Sequence, residues 1–466
     1  MPGADRPGRD APEAAPTTGG QEAPGHDGRR TARRALDREI LRLAVPALGA
    51  LVAEPLFLLT DTAMVGHLGA VPLAGVGVAG VVLQTAIGLL VFLAYATTPT
   101  VARRLGAGDR TGAVRAGIDG IWTALLIGVV LALVGAVTAR PLLTLFDTTP
   151  AVVDAATTYL TVSLVGVPAM LVVVAATGLL RGLQDTRTPL VVATVGFAAN
   201  AGLNAVFLYA LGWGVAGSAA GTVVAQWGMA AVYVVIAVRA ARAADAPLRP
   251  GLAGLGRVVR SGAWLLVRNA SLRVAMVATV SAAAGLGVTG LATVQIALTL
   301  FATLAFALDA LAVAAQAMVG HALGAGDAGR VRAVTRRLVA FGLVAGAALG
   351  LLLALLAPVL APVFSSDQGV RDLLPGVVLA MAVGVPLAGF VFVLDGVLLG
   401  AGDARYLALA GVANVVVYLP LLWWAGASGA GAVGLWLAFG LGYVGARAVT
   451  LGLRAAGSRW QVTGAS

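Results

Sequence analysis

Two carboxylates, Glu54 and Asp61, lie inside the first long apolar run of the chain, within Ala53-Glu-Pro-Leu-Phe-Leu-Leu-Thr-Asp-Thr-Ala-Met-Val-Gly-His-Leu-Gly69. The run extends from about residue 40 to residue 66, long enough to cross a bilayer. A carboxylate at the bilayer centre costs roughly 2.5–3.5 kcal/mol on insertion scales, so an acid there marks a functional site by default. The seven-residue spacing puts both acids on nearly one helical face, about two turns apart. Burial disfavours the charged carboxylate, so such a group can exchange a proton as its exposure changes. Pro55, between the two acids, removes a backbone donor and makes a hinge there. The structural alternative is that both acids merely hydrogen-bond within a helix bundle. That alternative weighs more heavily on Glu54 than on Asp61.

Other polar groups recur inside later apolar runs. Asn200 and Asn204 are four residues apart, on one helical face, and Tyr159 and Thr222 lie in neighbouring runs. Carboxylate and amide oxygens suit hard cations, so Asp61, Asn200 and Asn204 could share a sodium ion instead of trading a proton. Asp309 and Gln316, further along, share a face at about two turns' separation. Arg268 and Arg273 enter their run from one end, and Arg268 is expected to snorkel to the interface. Asp395 and Asp403 are expected to cap a helix or pair with loop arginines.

These groups need elements to hold them, and the composition says which. Of 466 residues, 59% are hydrophobic and only 11% charged, more apolar surface than a soluble protein can hide. The class is an all-α polytopic membrane protein. The net charge of +10 would suggest nucleic acid in a soluble chain, but no nucleic-acid partner is expected. Here the arginines cluster in short loops between apolar runs, as in the cytoplasmic loops of membrane proteins. There is no lysine and no cysteine, hence no disulfide framework and no thiolate chemistry.

Residues 1–35 are rich in Pro, Gly, Ala and charge and read as a disordered cytoplasmic tail. Twelve spans follow, near 40–66, 73–100, 114–139, 152–180, 189–211, 215–238, 261–285, 291–320, 332–360, 373–399, 405–424 and 430–453. Arginines follow spans two, four, six, eight, ten and twelve, which puts both termini in the cytoplasm. The apolar run after the tail is too long for a cleaved signal peptide.

An internal repeat sets the architecture. Leu105-Gly-Ala-Gly-Asp109 returns as Leu323-Gly-Ala-Gly-Asp327, 218 residues on, and Gly69 returns as Gly287 at the same offset. Leu180-Arg-Gly-Leu-Gln-Asp-Thr-Arg187 returns more loosely as Leu398-Leu-Gly-Ala-Gly-Asp-Ala-Arg405. Two halves of six spans insert in the same orientation and are related by an axis along the membrane normal, with a cavity between them. The expected domains are 36–243 and 259–466, joined by a cytoplasmic linker over 244–258. Asp61 maps onto Thr279 and Glu54 onto Leu272, so the acids of span one have no counterpart in the second half.

Competing motifs fail on context. Gly75-Val-Gly-Val-Ala-Gly80 fits GxGxxG, but no strand precedes it and no βαβ unit surrounds it. His26, His67 and His321 are too scattered for a metal site, and no phosphate loop is present. No cofactor and no enzymatic activity are expected. Transport would have to run on an ion gradient.

Leu59-Thr-Asp-Thr-Ala-Met-Val-Gly-His-Leu-Gly69 resembles the first-helix signature of the multidrug and toxic compound extrusion (MATE) family, in its DinF-like branch. Leu308-Asp-Ala-Leu-Ala-Val-Ala-Ala-Gln-Ala-Met-Val-Gly320 is similar to that branch's eighth helix. The stretch from Asn200 to Thr222, with Gly217-Ser-Ala-Ala-Gly221 inside it, looks like its helices five and six. The likeness runs over about residues 38–455 and implies twelve helices in two lobes. It further implies export of organic, often cationic compounds in exchange for protons or sodium ions. The family's first-helix coupling aspartate falls on Asp61, and Tyr159, Asn200 and Thr222 fall on polar positions lining the first lobe. Asn204 departs from relatives that carry a second aspartate there.

The expected function is therefore a secondary-active efflux antiporter of the plasma membrane, working as a monomer, with Asp61 as coupling acid and Glu54 assisting. Two alternatives are a lipid-linked oligosaccharide flippase of a related fold and a facilitator-type transporter. The flippase would show a more cationic central cavity and extra helices. The facilitator has no place for the Asp61 segment. A membrane enzyme would need a convergent acid–base or metal cluster, and none is legible.

Overall fold

The structure is a computed structural model that describes residues 26–464. Of these, the side chains of residues 26–29, 32, 54, 57–59, 89, 92, 252–255, 257 and 258 are excluded. From Ile40 onwards the chain forms one compact unit, and the segment up to Glu39, helical from His26, is a unit by itself.

Without water in a bilayer core, every backbone group must be satisfied within its own segment, so long apolar runs become helices. Twelve form: α1 His26–Gly66, α2 Ala70–Gly106, α3 Arg110–Thr144, and α4 in two pieces, Pro150–Leu164 and Val167–Gly182. Then come α5 Arg187–Ala210, α6 Gly214–Ala243, α7 Leu252–Ala284 and α8 Gly287–Gly324. The last four are α9 Ala328–Phe364, α10 Gln368–Gly400, α11 Ala404–Ala427 and α12 Gly431–Ala456. Among the described residues, ten helices are long and apolar enough to cross a membrane, eleven with α4 counted as one bent span. Large apolar side chains such as Leu133, Val137, Val344 and Trp423 stand exposed on the outer helices, as a hydrocarbon-facing surface requires.

The repeat seen in the sequence is a repeat of structure. Gly69 and Gly287, 218 residues apart, both take a left-handed backbone, at φ 117° and 79°. Gly108 and Gly326 do so at φ 79° and 74°, just before Asp109 and Asp327 cap α3 and α9. Asp109 accepts from the Gly112 amide at 2.7 Å and Asp327 from the Arg330 amide at 2.8 Å, satisfying donors that a helix start leaves free. Gln184 and Gly402 form the third left-handed pair, at φ 63° and 73°. The two halves meet where α2 runs beside α8. A Cβ at Gly106 would overlap the His321 carbonyl oxygen, and one at Gly324 would overlap the Arg103 carbonyl oxygen. Arg103 and His321 are themselves 218 apart, so the contact is reciprocal, as an isologous pair about a twofold must be.

Several boundaries differ from expectation. Helix α1 begins at His26, inside the stretch read as a disordered tail; residues 1–25 lie outside the described residues. The linker is only residues 244–251, because α7 starts at Leu252. It is tied along α3 by three bonds: Thr111 Oγ1 to the Ala244 carbonyl at 2.6 Å, Trp122 Nε1 to the Leu248 carbonyl at 3.0 Å, and the Gly251 amide to Asp119 Oδ1 at 2.8 Å. Span four is bent by 51° between Leu164 and Val167. Pro168 has no N–H to offer the Leu164 carbonyl there, and the neighbouring Val165 carbonyl accepts from Trp227 Nε1 of α6 at 3.1 Å.

Arg268 does not snorkel. It is 8% exposed and forms a two-pronged ion pair with Asp395, to which Arg447 adds a contact at 3.3 Å. Asp395 thus pairs with arginines of α7 and α12 rather than with loop arginines. Asp403 does meet the expected kind of partner, Arg454 beyond the apolar part of α12, at 2.7 Å.

Candidate functional site

Asp61 sits in the last two turns of α1 and is 4% exposed. Three helices bring neutral donors to it. From α5, Asn204 Nδ2 donates to Oδ1 at 2.7 Å; from α6, Ser218 Oγ donates to the same oxygen at 2.8 Å. From the first piece of α4, the Tyr159 hydroxyl reaches Oδ2 at a longer 3.4 Å. A charge on Asp61 is surrounded by hydrogen-bond donors and, among the described residues, has no cation as a partner, an expensive arrangement for a buried carboxylate.

The network continues away from the acid. Asn204 Nδ2 also donates to Asn200 Oδ1 at 3.1 Å, one helical turn back, and Asn200 Nδ2 donates to Thr222 Oγ1 at 3.0 Å. The spacing of four along α5 puts both amides on one stripe, and the same spacing along α6 aligns Ser218 with Thr222. Helices α5 and α6 can approach closely because Gly221 faces Asn204; a Cβ there would overlap Asn204 Oδ1. That amide oxygen is buried and accepts no hydrogen bond. Just past Asn204, α5 loosens into a π-helical stretch, Val206–Ala210, and the Tyr209 hydroxyl anchors it to the Met64 carbonyl of α1 at 2.9 Å. Such π stretches recur beside functional sites.

The corresponding place in the second lobe is built differently. Thr279, the counterpart of Asp61, is fully buried and shares a 2.7 Å hydrogen bond with the hydroxyl of Tyr418, the counterpart of Asn200. Around them stand Phe439, Tyr443, Trp436 and Phe301, with neighbouring ring centroids 5.3–6.2 Å apart. Aromatic packing fills what is a polar network in the first lobe.

Five of the residues singled out from the sequence, Asp61, Tyr159, Asn200, Asn204 and Thr222, therefore converge. Ser218, which binds the acid directly, is not among the residues that the sequence singles out. Its alignment with Thr222 was the available signal, but serine is common as a small packing residue in membrane helices. The Glu54 side chain lies outside the described residues, while its neighbour Pro55 sits in an uninterrupted helical stretch of α1. Asp309 and Gln316 belong elsewhere. Asp309 lies within electrostatic reach of Tyr95, Arg181, Arg268 and Asp395, and Gln316 is buried against α10 at Gly400 with its Nε2 unpartnered.

Three comparisons bear on this arrangement. The MatE family model matches residues 46–206 and 265–424, one stretch in each lobe. Protein DETOXIFICATION 43 of Arabidopsis thaliana is 30% identical over 89% of this chain and 89% of its own length. A probable multidrug resistance protein NorM of Bradyrhizobium diazoefficiens is 29% identical over 87% of this chain and 90% of its own. DNA damage-inducible protein F of Escherichia coli is 30% identical over 41% of this chain and 42% of its own. Among solved structures, MATE in the straight conformation superposes with a TM-score of 0.84 at 22% identity, covering 92% of this chain and 97% of that one. The Vibrio cholerae MATE transporter VcmN in the bent form gives 0.84 at 20% identity over 93% and 98%. At such identities these structures speak for the fold.

Proposed function

Since this chain belongs to the MatE family of membrane transporters, we propose that it is a secondary-active antiporter that exports a small organic solute against an inward flow of ions. Asp61 is the group through which the ion acts. One observation carries this reading: a buried carboxylate held, among the described residues, only by neutral donors, in one lobe, with a threonine at the symmetric position of the other. An acid without a fixed counter-charge gains most from taking up a cation, and the smallest cation is a proton.

The orientation of the donors favours the proton. Asn204, Ser218 and Tyr159 all present hydrogens to Asp61, which suits a charged carboxylate waiting for a proton. Once Asp61 is protonated, it needs an acceptor of its own, and Asn204 holds an unused amide oxygen. Turning that amide would couple the state of the acid to Asn200 and Thr222. A sodium ion shared by Asp61, Asn200 and Asn204 is the alternative, requiring the amide oxygens to turn toward the acid.

Helix α1 would convey the change. Pro55 cannot donate to the Leu51 carbonyl one turn earlier, so α1 bends there at less cost than elsewhere. Solved relatives include a straight and a bent form. In this reading the arginine-bearing loops and both termini face the cytoplasm, the protein lies in the plasma membrane, and one copy carries a complete site. Purified protein in proteoliposomes, given a proton gradient or a sodium gradient alone, tests both the exporter and the ion. Gradient-driven movement of a fluorescent organic solute under the proton gradient is the expected result.

A further inference from the structure

We propose that the segment Trp460–Gly464, beyond α12, is a latch that fastens the two lobes together on the arginine-rich face, with Arg103 as its catch. Arg103 ends α2 in the first lobe and is only 6% exposed. Its guanidinium donates to three backbone carbonyls, all of them from the second half of the chain. Nη1 meets Ala401, just past α10, at 2.9 Å; Nε meets Gly464 at 3.3 Å; Nη2 meets Val462. The same segment is held on its other side, where the Gly464 amide donates to the Leu323 carbonyl of α8 at 3.0 Å. Trp460 is 3% exposed and bonds the Ala455 carbonyl at 3.2 Å, fixing where the segment leaves α12.

Arginine suits this catch. Its planar fork offers five N–H groups, and three carbonyls from two different stretches of backbone converge on it. The repeat puts histidine at the matching position, residue 321, so the second lobe has no arginine for an equivalent catch. Beneath the segment lies a cavity of about 350 Å³, lined by Tyr95 and Thr100 from the first lobe, and by Ser261, Leu265 and Trp460 from the second. The lobes cannot part on this face while Arg103 keeps its bonds to Ala401, Val462 and Gly464. Release of the segment is then a step in opening the cavity to that side. This inference rests on the exporter reading only for its purpose; the latch itself is a statement about access.

The absence of cysteine makes the test clean. Thr100→Cys places one thiol in the cavity, to be labelled with a membrane-impermeant maleimide in the full-length protein. Adding Arg103→Gln, or ending the chain after Arg459, removes the catch or the segment. Labelling should accelerate about tenfold in both, the expected result of losing charge-assisted hydrogen bonds. A second arm does not weaken the protein: Thr100→Cys with Val462→Cys, joined by a cleavable bismaleimide, should stop transport until the linker is cleaved. Unchanged labelling in both weakened variants, failure of the pair to cross-link, or full transport by the cross-linked protein would each overturn the latch. Accelerated labelling in a protein that transports nothing under any gradient would uphold the latch and sink the exporter reading instead.

Discussion

Gly106 of α2 and Gly324 of α8 each lie against the backbone of the other helix, at the carbonyls of His321 and Arg103 respectively. The two glycines are equivalent in the repeat, so this one contact is where the pseudo-twofold axis passes between the lobes. A side chain at either position must push the helices apart.

Gly106→Ala and Gly324→Ala should therefore destabilise the protein by similar amounts, about 1–3 kcal/mol each by the usual cost of overpacking. Gly77→Ala, a position in α2 with open space around it, is the control and should melt like the parent. Thermal unfolding in detergent reads all three. Unequal effects from the two paired glycines would argue against the axis lying between them.

Gly221 makes an indirect test of the acid's surroundings. A methyl group there displaces Asn204 from its place between Asp61 and Asn200, without touching the acid itself. Gly221→Ala should lower gradient-driven transport roughly tenfold, the equivalent of one hydrogen bond to a charged group, with expression near normal. Parent-like rates would mean that Asn204 is not needed where it stands.

The paired ions of the second lobe should behave as structure. Asp395→Asn strips Arg268 and Arg447 of their carboxylate in a buried setting and should cost about 3–5 kcal/mol in thermal stability. Replacing Arg268 and Asp395 together with leucines should cost less than the single change. A double variant that melts below the single one would show that the charges are needed for more than each other.

How much of this could be read in advance depends on range. The twelve helices and the repeat were legible because hydropathy, loop arginines and glycine turns are local signals that recur. Asp61, Asn200 and Asn204 stood out because polar groups inside apolar runs are costly and hence few. Ser218 did not stand out, since a hydroxyl costs little in a membrane helix and serine also serves for packing. The burial of Arg268 is not legible in the sequence because its partner, Asp395, is 127 residues away, and nothing local distinguishes a paired arginine from one that snorkels. The break in α4 had Pro168 as its one local cue, and prolines also occur within continuous helices here, as Pro358 and Pro386 do.

Pro55→Ala restores the missing hydrogen bond to the Leu51 carbonyl and stiffens α1 at the proposed hinge. Solute binding should be unchanged while turnover falls several-fold, a loss of about 1 kcal/mol in the moving step. Equilibrium binding and gradient-driven flux, measured on one preparation, separate the two. Unchanged flux would remove Pro55 from the mechanism.

The central claim is that Asp61 couples the ion to the solute, and Asp61→Asn tests it most directly. The substitution keeps the volume and much of the hydrogen bonding with Ser218 and Asn204 but removes the charge and the titrating proton. In proteoliposomes, the parent should move a fluorescent organic solute in response to an imposed proton gradient. The Asp61→Asn protein, reconstituted at equal density, should bind the solute yet show no response to the gradient. Transport by Asp61→Asn at the parent's rate and with the parent's dependence on the gradient would contradict the account.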